Sequence, residues 1–154
     1  MRQVASFFGG FELHPTPENK KNIQLEWRHR GSDDSWAASN LSDGTLRFIC
    51  LCTLLLQPQL PAMIVLDEPE LGLHPAALVM LAGLLKSAST RAQVLLATQA
   101  VTLLNQLTPD EVTVVEREDD ATVLRPLSEM DQSTWKEGYS LGELWEMNAM
   151  GGRP

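Results

Sequence analysis

Met63-Ile64-Val65-Leu66-Asp67-Glu68-Pro69-Glu70 is the stretch whose reading decides the fold. Four apolar residues of strand character end on two adjacent carboxylates, and Pro69 stops the strand from running on. Ala62 to Leu66 is too short and too apolar for anything but a buried strand, of the kind found in parallel sheets. Leu71-Gly72-Leu73-His74-Pro75 follows, placing Pro75 in the first turn of a helix predicted over 75–87. Upstream, Leu41-Ser42-Asp43-Gly44-Thr45 opens a continuous apolar helix over 46–56, ended by Gln57-Pro58-Gln59-Leu60-Pro61. Downstream, 93–97 reads as a second buried strand and 101–107 as a short helix. This alternating order implies an α/β domain with a parallel core.

The flanks are of a different character. Residues 1–40 read as a small antiparallel β portion. Val4 to Phe8 and Phe11 to His14 surround a Gly-Gly turn, Ile23 to Trp27 alternates apolar and polar, and Trp36-Ala37-Ala38 begins a return strand. Residues 41–154 form the α/β lobe. Within it, 112–116 and 122–127 pair across the acidic turn Arg117-Glu118-Asp119-Asp120, and helical turns are predicted at 133–137 and 141–150. In the last of these Leu141, Leu144 and Trp145 share a helical face and are expected to pack on the domain. Trp27, Trp36 and Trp135 are expected to be packing residues, because no basic residues cluster with them.

The chain has 154 residues, enough to bury a core, and its apolar fraction of 44% is that of a globular protein. A net charge of −8 with only 12 Lys and Arg weighs against this segment gripping a nucleic-acid backbone, which needs clustered cations. Nucleic acid is therefore expected to be contacted only through other parts of the protein. Cys50 and Cys52 lie two apart in an apolar helix and point in different directions, so they are expected to be buried free thiols in a reducing compartment. No run approaches the roughly eighteen apolar residues of a membrane span, and the N-terminus lacks a signal peptide's apolar centre. The expected location is the cytoplasm, with no membrane partner.

Adjacent acids at a strand tip suit metal-assisted hydrolysis. One acid holds Mg²⁺ through its water shell, and the other positions or deprotonates the attacking water. A bare Asp-Glu pair would more simply cap the next helix, and Ser-Asp-Gly alone would be an ordinary N-cap. The two together, about twenty residues apart with Leu71 to Pro75 after the acids, resemble the signature motif, Walker B strand and D-loop of ABC-type ATPases. The resemblance is strongest to the RecF- and SMC-like branch often labelled "AAA family ATPase". It implies the C-terminal half of a P-loop NTPase fold, with ATP and Mg²⁺ as ligands and ATP sandwiched between two heads. By this resemblance Asp67 organises Mg²⁺, Glu68 acts on the hydrolytic water, and Ser42, Asp43 and Gly44 contact the partner head's nucleotide.

Two departures matter. The first Gly and the Gln of the usual Leu-Ser-Gly-Gly-Gln are Asp43 and Thr45 here, which sets a negative charge near the partner's nucleotide. In the switch position after the second strand, where a His generally contacts the γ-phosphate, stands Gln99, which donates a hydrogen bond but carries no proton charge. His74 has no second ligand at metal-binding spacing and is expected at the start of its helix or at an interface. No Gly-x-x-x-x-Gly-Lys-(Ser/Thr) segment occurs in these residues. The resemblance thus implies a partner, either a Walker A half or a second copy forming a homodimer. The chain alone is expected to be inactive, and its parallel strands to leave an apolar sheet surface bare. The alternative is a non-enzymatic dimerisation or regulatory module; a third and weaker reading is a metallohydrolase built on Asp67, Glu68, Glu70 and His74.

Overall fold

The computed structural model describes residues 1, 5–130 and 138–152. Val4, the turn expected at 133–137 and Trp135 lie outside the described residues. By its contacts the chain divides into two compact units, Met1–Ile64 with Leu71–Val94, and Val65–Glu70 with Leu95–Pro154.

The first unit begins with an antiparallel three-stranded sheet, β1 (Phe8–Pro15), β2 (Ile23–His29) and β3 (Ser35–Ala37), as the alternation predicts. Gly9 and Gly10 do not turn the chain; they lie inside β1, where the register shifts at a bulge between Phe8 and Gly10. A Cβ on Gly9 would stand 2.9 Å from the Arg28 carbonyl of β2, so glycine here permits close strand approach rather than a reversal. Ala5, Phe8 and Trp27 bury one side of this sheet with Leu41, and Leu46 and Ile49 of α1 (Asp43–Leu55) pack against them. Trp36, the cross-strand partner of Trp27, is 45% exposed and does not join that core.

Helix α1 buries Phe48, Leu51 and Leu55, one face at three- and four-residue spacing. Cys50 falls off that face and is exposed, while Cys52 is half-buried with its thiol pushed up by burial. The thiols are free, as expected, but not buried. Helix α2 (Pro75–Ser89) packs on α1 through an apolar face that includes Leu78, Leu81 and Leu85. Arg91, just beyond it, donates to the backbone carbonyls of Leu55 (3.1 Å) and Gln57 (3.0 Å), tying off the end of α1.

Strands β4 (Met63–Asp67) and β5 (Gln93–Ala97) pair as a two-stranded sheet. Gln93 N–H donates to the Ala62 carbonyl and Glu68 N–H to the Ala97 carbonyl, both at 2.9 Å, so the strands run parallel. Sequence predicted both strands as buried, and the structure corrects this. Ile64 is buried, but Met63, Val65 and Leu95 are 49%, 63% and 56% exposed. Their alternation leaves one apolar side of each strand bare, as the reading of an incomplete sheet anticipated.

In the second unit, α3 (Val101–Leu104) leads to the hairpin β6 (Thr113–Glu118) and β7 (Ala121–Pro126). Its two-residue turn sets Asp119 and Asp120 at φ 45° and 64°, the left-handed geometry of a type I′ turn. Arg125 bridges Glu116 and Glu118 across the pair. Helix α4 (Leu141–Glu146) packs on α3, where Gly142 approaches so closely that a Cβ would fall 2.5 Å from Val101 Cγ1. Leu104, Val114, Leu127, Leu144 and Met150 form this unit's core, with Leu141 and Trp145 packed against it, as their spacing predicts.

Ser140 and Glu143 close a capping box on α4: the Ser140 N–H and hydroxyl both donate to Glu143 Oε2, at 2.8 and 2.7 Å. The Ser140 N–H, and then its hydroxyl, hold the Glu143 carboxyl below the usual glutamate range. A lowered pKa stabilises the fold above the unfolded value, and that contribution disappears as pH falls through the folded value. An NMR titration of the Glu143 carboxyl is expected to show this depressed midpoint, and Ser140→Ala, which removes the hydroxyl but keeps the N–H, to raise it only part of the way back.

Candidate functional site

The residues singled out in the sequence gather in two groups, one in each unit. In the first unit, Ser42 is the N-cap of α1. Its Oγ accepts the Thr45 N–H at 3.2 Å and lies 2.9 Å from Thr45 Oγ1. Asp43 occupies the first turn, where the helix dipole favours its charge. Ser42 and Asp43 are exposed and Gly44 is half-buried. Across from Gly44 lies the turn before α2: a Cβ on Gly44 would sit 2.0 Å from the Gly72 carbonyl oxygen. Gly72 itself adopts φ +76°, a conformation side chains rarely take. Two glycines thus let the first turn of α1 and the turn before α2 meet backbone to backbone. His74 caps α2, its Nδ1 accepting the Ala76 N–H at 3.2 Å, which makes it a helix-start residue as expected.

In the second unit, the end of β4 carries Asp67, exposed, and Glu68, half-buried. Glu68 has φ 41°, an uncommon value for a residue with a side chain, and its N–H is held by the Ala97 carbonyl. The pairing of β4 with β5 therefore brings the Asp67-Glu68 tip beside the turn Thr98-Gln99-Ala100. No ion pair or side-chain hydrogen bond engages either carboxylate among the described residues. Two free oxygen-donor groups at a strand tip fit a hard divalent cation.

Glu70 is the residue whose importance sequence reasoning missed, having counted it only as a possible metal ligand. Its Oε1 accepts the Thr98 hydroxyl at 2.6 Å and the Gln99 N–H at 3.0 Å. Nothing local marks such a contact between positions 28 residues apart in the chain. The metallohydrolase set does not assemble: among the described residues the one group of three potential ligands within 4.8 Å is Glu12, His14 and Glu26. Those lie on the N-terminal sheet, where Arg28 already pairs with Glu12 at 2.6 Å. The Ser35 hydroxyl, foremost, together with His14 and Arg28 holds the Glu12 carboxyl below its usual range against the opposing effect of burial.

The Gly44 contact is open to a direct check. Gly44→Ala is expected to cost about 1–3 kcal/mol by forcing the two turns apart. Gly83→Ala, at an exposed helical glycine whose Cβ would meet nothing within 4 Å, is expected to stabilise by about 0.5–1 kcal/mol. Urea denaturation of the two variants beside the parent measures both.

The family model described as "AAA domain, putative AbiEii toxin, Type IV TA system" matches residues 5–105, about two-thirds of the chain. No curated protein matches it. Among solved structures, one from work on ATP-driven dimerization and DNA-stimulated activation of SMC ATPases is 17% identical with a TM-score of 0.58, covering 80% of this chain and 75% of that one. The Smc head bound to the C-winged helix domain of ScpA is 17% identical with a TM-score of 0.62, over 80% of this chain and 38% of that one. An Smc head domain with an extended coiled coil, bound to the C-terminal domain of ScpA derived from Pyrococcus furiosus, is 18% identical with a TM-score of 0.61, over 83% and 33%. The chain spans only about a third of the length of these last two. At such identities the likeness is one of fold, and the fold is that of the SMC ATPase head, a P-loop NTPase architecture with parallel and antiparallel sheets. With the family match covering most of its length, the chain belongs to this AAA-domain family.

Proposed function

We propose that this chain is the C-terminal lobe of an ABC-type ATPase head that binds and hydrolyses ATP at a head–head dimer. The observation that carries the reading is Glu68. A left-handed residue with a side chain costs about 1–3 kcal/mol and persists where the surrounding structure fixes it, most often at functional sites. Here that residue stands at a strand tip beside a second, unneutralised acid.

In this reading residues 1–40 form a β portion and 41–154 the ATPase lobe. Asp67 would hold a Mg²⁺ ion, which when bound would supply positive charge to the triphosphate. Glu68 orients the attacking water and takes its proton. The Gln99 side-chain amide donates to the phosphoryl group being transferred. From the opposing head, the Ser42 hydroxyl and the backbone at Gly44 meet the nucleotide at the start of α1, where helical N–H groups favour an anion. Asp43 adds negative charge there and weakens that grip.

The lobe is completed by a Walker A-bearing portion, which covers the bare side of β4 and β5 at Met63, Val65 and Leu95, and by a second head. The ATP-driven dimerization of the SMC relatives supports this arrangement. DNA, if engaged, meets other parts of the assembly, since this segment carries a charge of −8. Among the described residues no helix is long and apolar enough to cross a membrane, and the proposed setting is the cytoplasm. Gln99 in place of His favours a second reading, in which the lobe retains dimerisation without turnover.

Purified alone, the chain is expected to show no tight Mg²⁺-dependent ATP binding by calorimetry; tight binding would contradict the need for a completing portion. In the completed head, Glu68→Gln is expected to lower turnover at least about a hundredfold while ATP and the closed dimer are retained. Unchanged turnover would remove Glu68 from the reaction. ATP-dependent dimerisation of the parent without any turnover would establish the second reading instead.

A further inference from the structure

We propose that Glu70 is a positioning residue for this same hydrolytic site, clamping the turn Thr98-Gln99-Ala100 so that Gln99 is held in register with Asp67 and Glu68. The inference rests on the ATPase reading above. Its physical basis is the way one short segment grips another at two points. Glu68 N–H donates to the Ala97 carbonyl at 2.9 Å, fixing the last residue of β5. Glu70 Oε1 accepts the Gln99 N–H at 3.0 Å, fixing the turn that follows. Between them, the Thr98 hydroxyl donates to Glu70 Oε1 at 2.6 Å and accepts the Ala100 N–H at 3.0 Å. The orientation of that hydroxyl is thereby determined.

The residues around these bonds make the grip stiff. Pro69, buried between the two anchoring residues, fixes its own φ and so the direction in which Glu70 leaves the strand. Ala100 caps α3 with no side-chain acceptor of its own, so the turn's N–H groups rely on Thr98 and Glu70. Gln99 is consequently fixed through its backbone, while its side chain is exposed and makes no hydrogen bond among the described residues. That is the arrangement required of a group whose side-chain amide must reach a ligand from a set position. Glu70 Oε2, buried with no partner among the described residues, adds a further sign. An enclosed, unpaired carboxylate oxygen is costly to stability, so this acid is poorly explained as fold reinforcement alone.

The test uses the completed ATPase and compares parent, Glu70→Ala, Glu70→Gln, Gln99→Ala and the Glu70→Ala/Gln99→Ala double variant. Glu70→Ala is expected to lower kcat about tenfold or more, as small misplacements of a reacting constellation do. KM for ATP should stay within about twofold, since the loss falls on the reaction and not on binding. Glu70→Gln keeps a carbonyl acceptor of the same reach and should recover most of the rate. The double variant should be no slower than the slower single one, because both changes break the same unit. Thr98→Val, which keeps the shape and removes the hydroxyl, should show the same kcat–KM split even if Glu70→Ala fails to fold. A parent that turns over ATP with Glu70→Ala or Thr98→Val unchanged in kcat, or effects at Glu70 and Gln99 that simply multiply, would overturn the clamp and leave the ATPase reading intact. A completed parent with no turnover would instead sink the ATPase reading itself.

Discussion

The short parallel ladder between β4 and β5 is the constraint on which the candidate chemistry depends. It is anchored near its start by Gln93 on Ala62 and at its end by Glu68 on Ala97. Because side chains alternate along a strand, a slip of one residue would turn Ile64 out of the core and swing the acids away from the Thr98-Gln99 turn. Register here therefore fixes where the candidate residues stand as well as what is buried. The left-handed backbone at Glu68 is tolerable because the ladder holds its N–H in place.

A second constraint is how closely backbones approach one another. Gly9 lets β1 press on β2, Gly44 and Gly72 let two helix-leading turns touch, and Gly142 lets α4 settle on α3. At Gly9 and Gly44 the missing Cβ removes a clash with backbone that no rotamer could relieve, whereas at Gly142 the atoms met first are side-chain ones, Val101 Cγ1 and Asn105 Oδ1. The residues assigned to chemistry sit at the ends of elements, where loops carry variable side chains and the helices and strands supply the rigid frame. Ser42, His74 and Ser140 each satisfy helix N–H groups that would otherwise be orphaned.

Charge tells the same story by contrast. Glu12 is compensated by Arg28, and Glu116 and Glu118 by Arg125, so these acids are engaged on the surfaces of their sheets. Asp67 and Glu68 have no such neighbour among the described residues. In a chain with a net charge of −8, these uncompensated acids are the ones to which the proposed reading assigns a cation.

What the sequence determined by itself is what short-range sterics and periodicity control. The apolar run into Asp67-Glu68-Pro69 specified β4, Ser42 and Pro75 marked the starts of α1 and α2, and the acidic turn marked the β6–β7 hairpin. The candidate site residues were legible because their chemistry is carried by neighbours in the chain. Tertiary structure alone decided the rest. A Gly-Gly pair reads as a turn until a partner strand shows that it needs the space, and Cys50 reads as buried until α1 selects its inward face. Met63, Val65 and Leu95 read as core because their character is apolar, yet burial depends on what lies opposite. The clamp of Glu70 on Thr98 and Gln99 had no signature in spacing at all, since a hydrogen bond between distant positions exists only once β4 and β5 have been laid side by side.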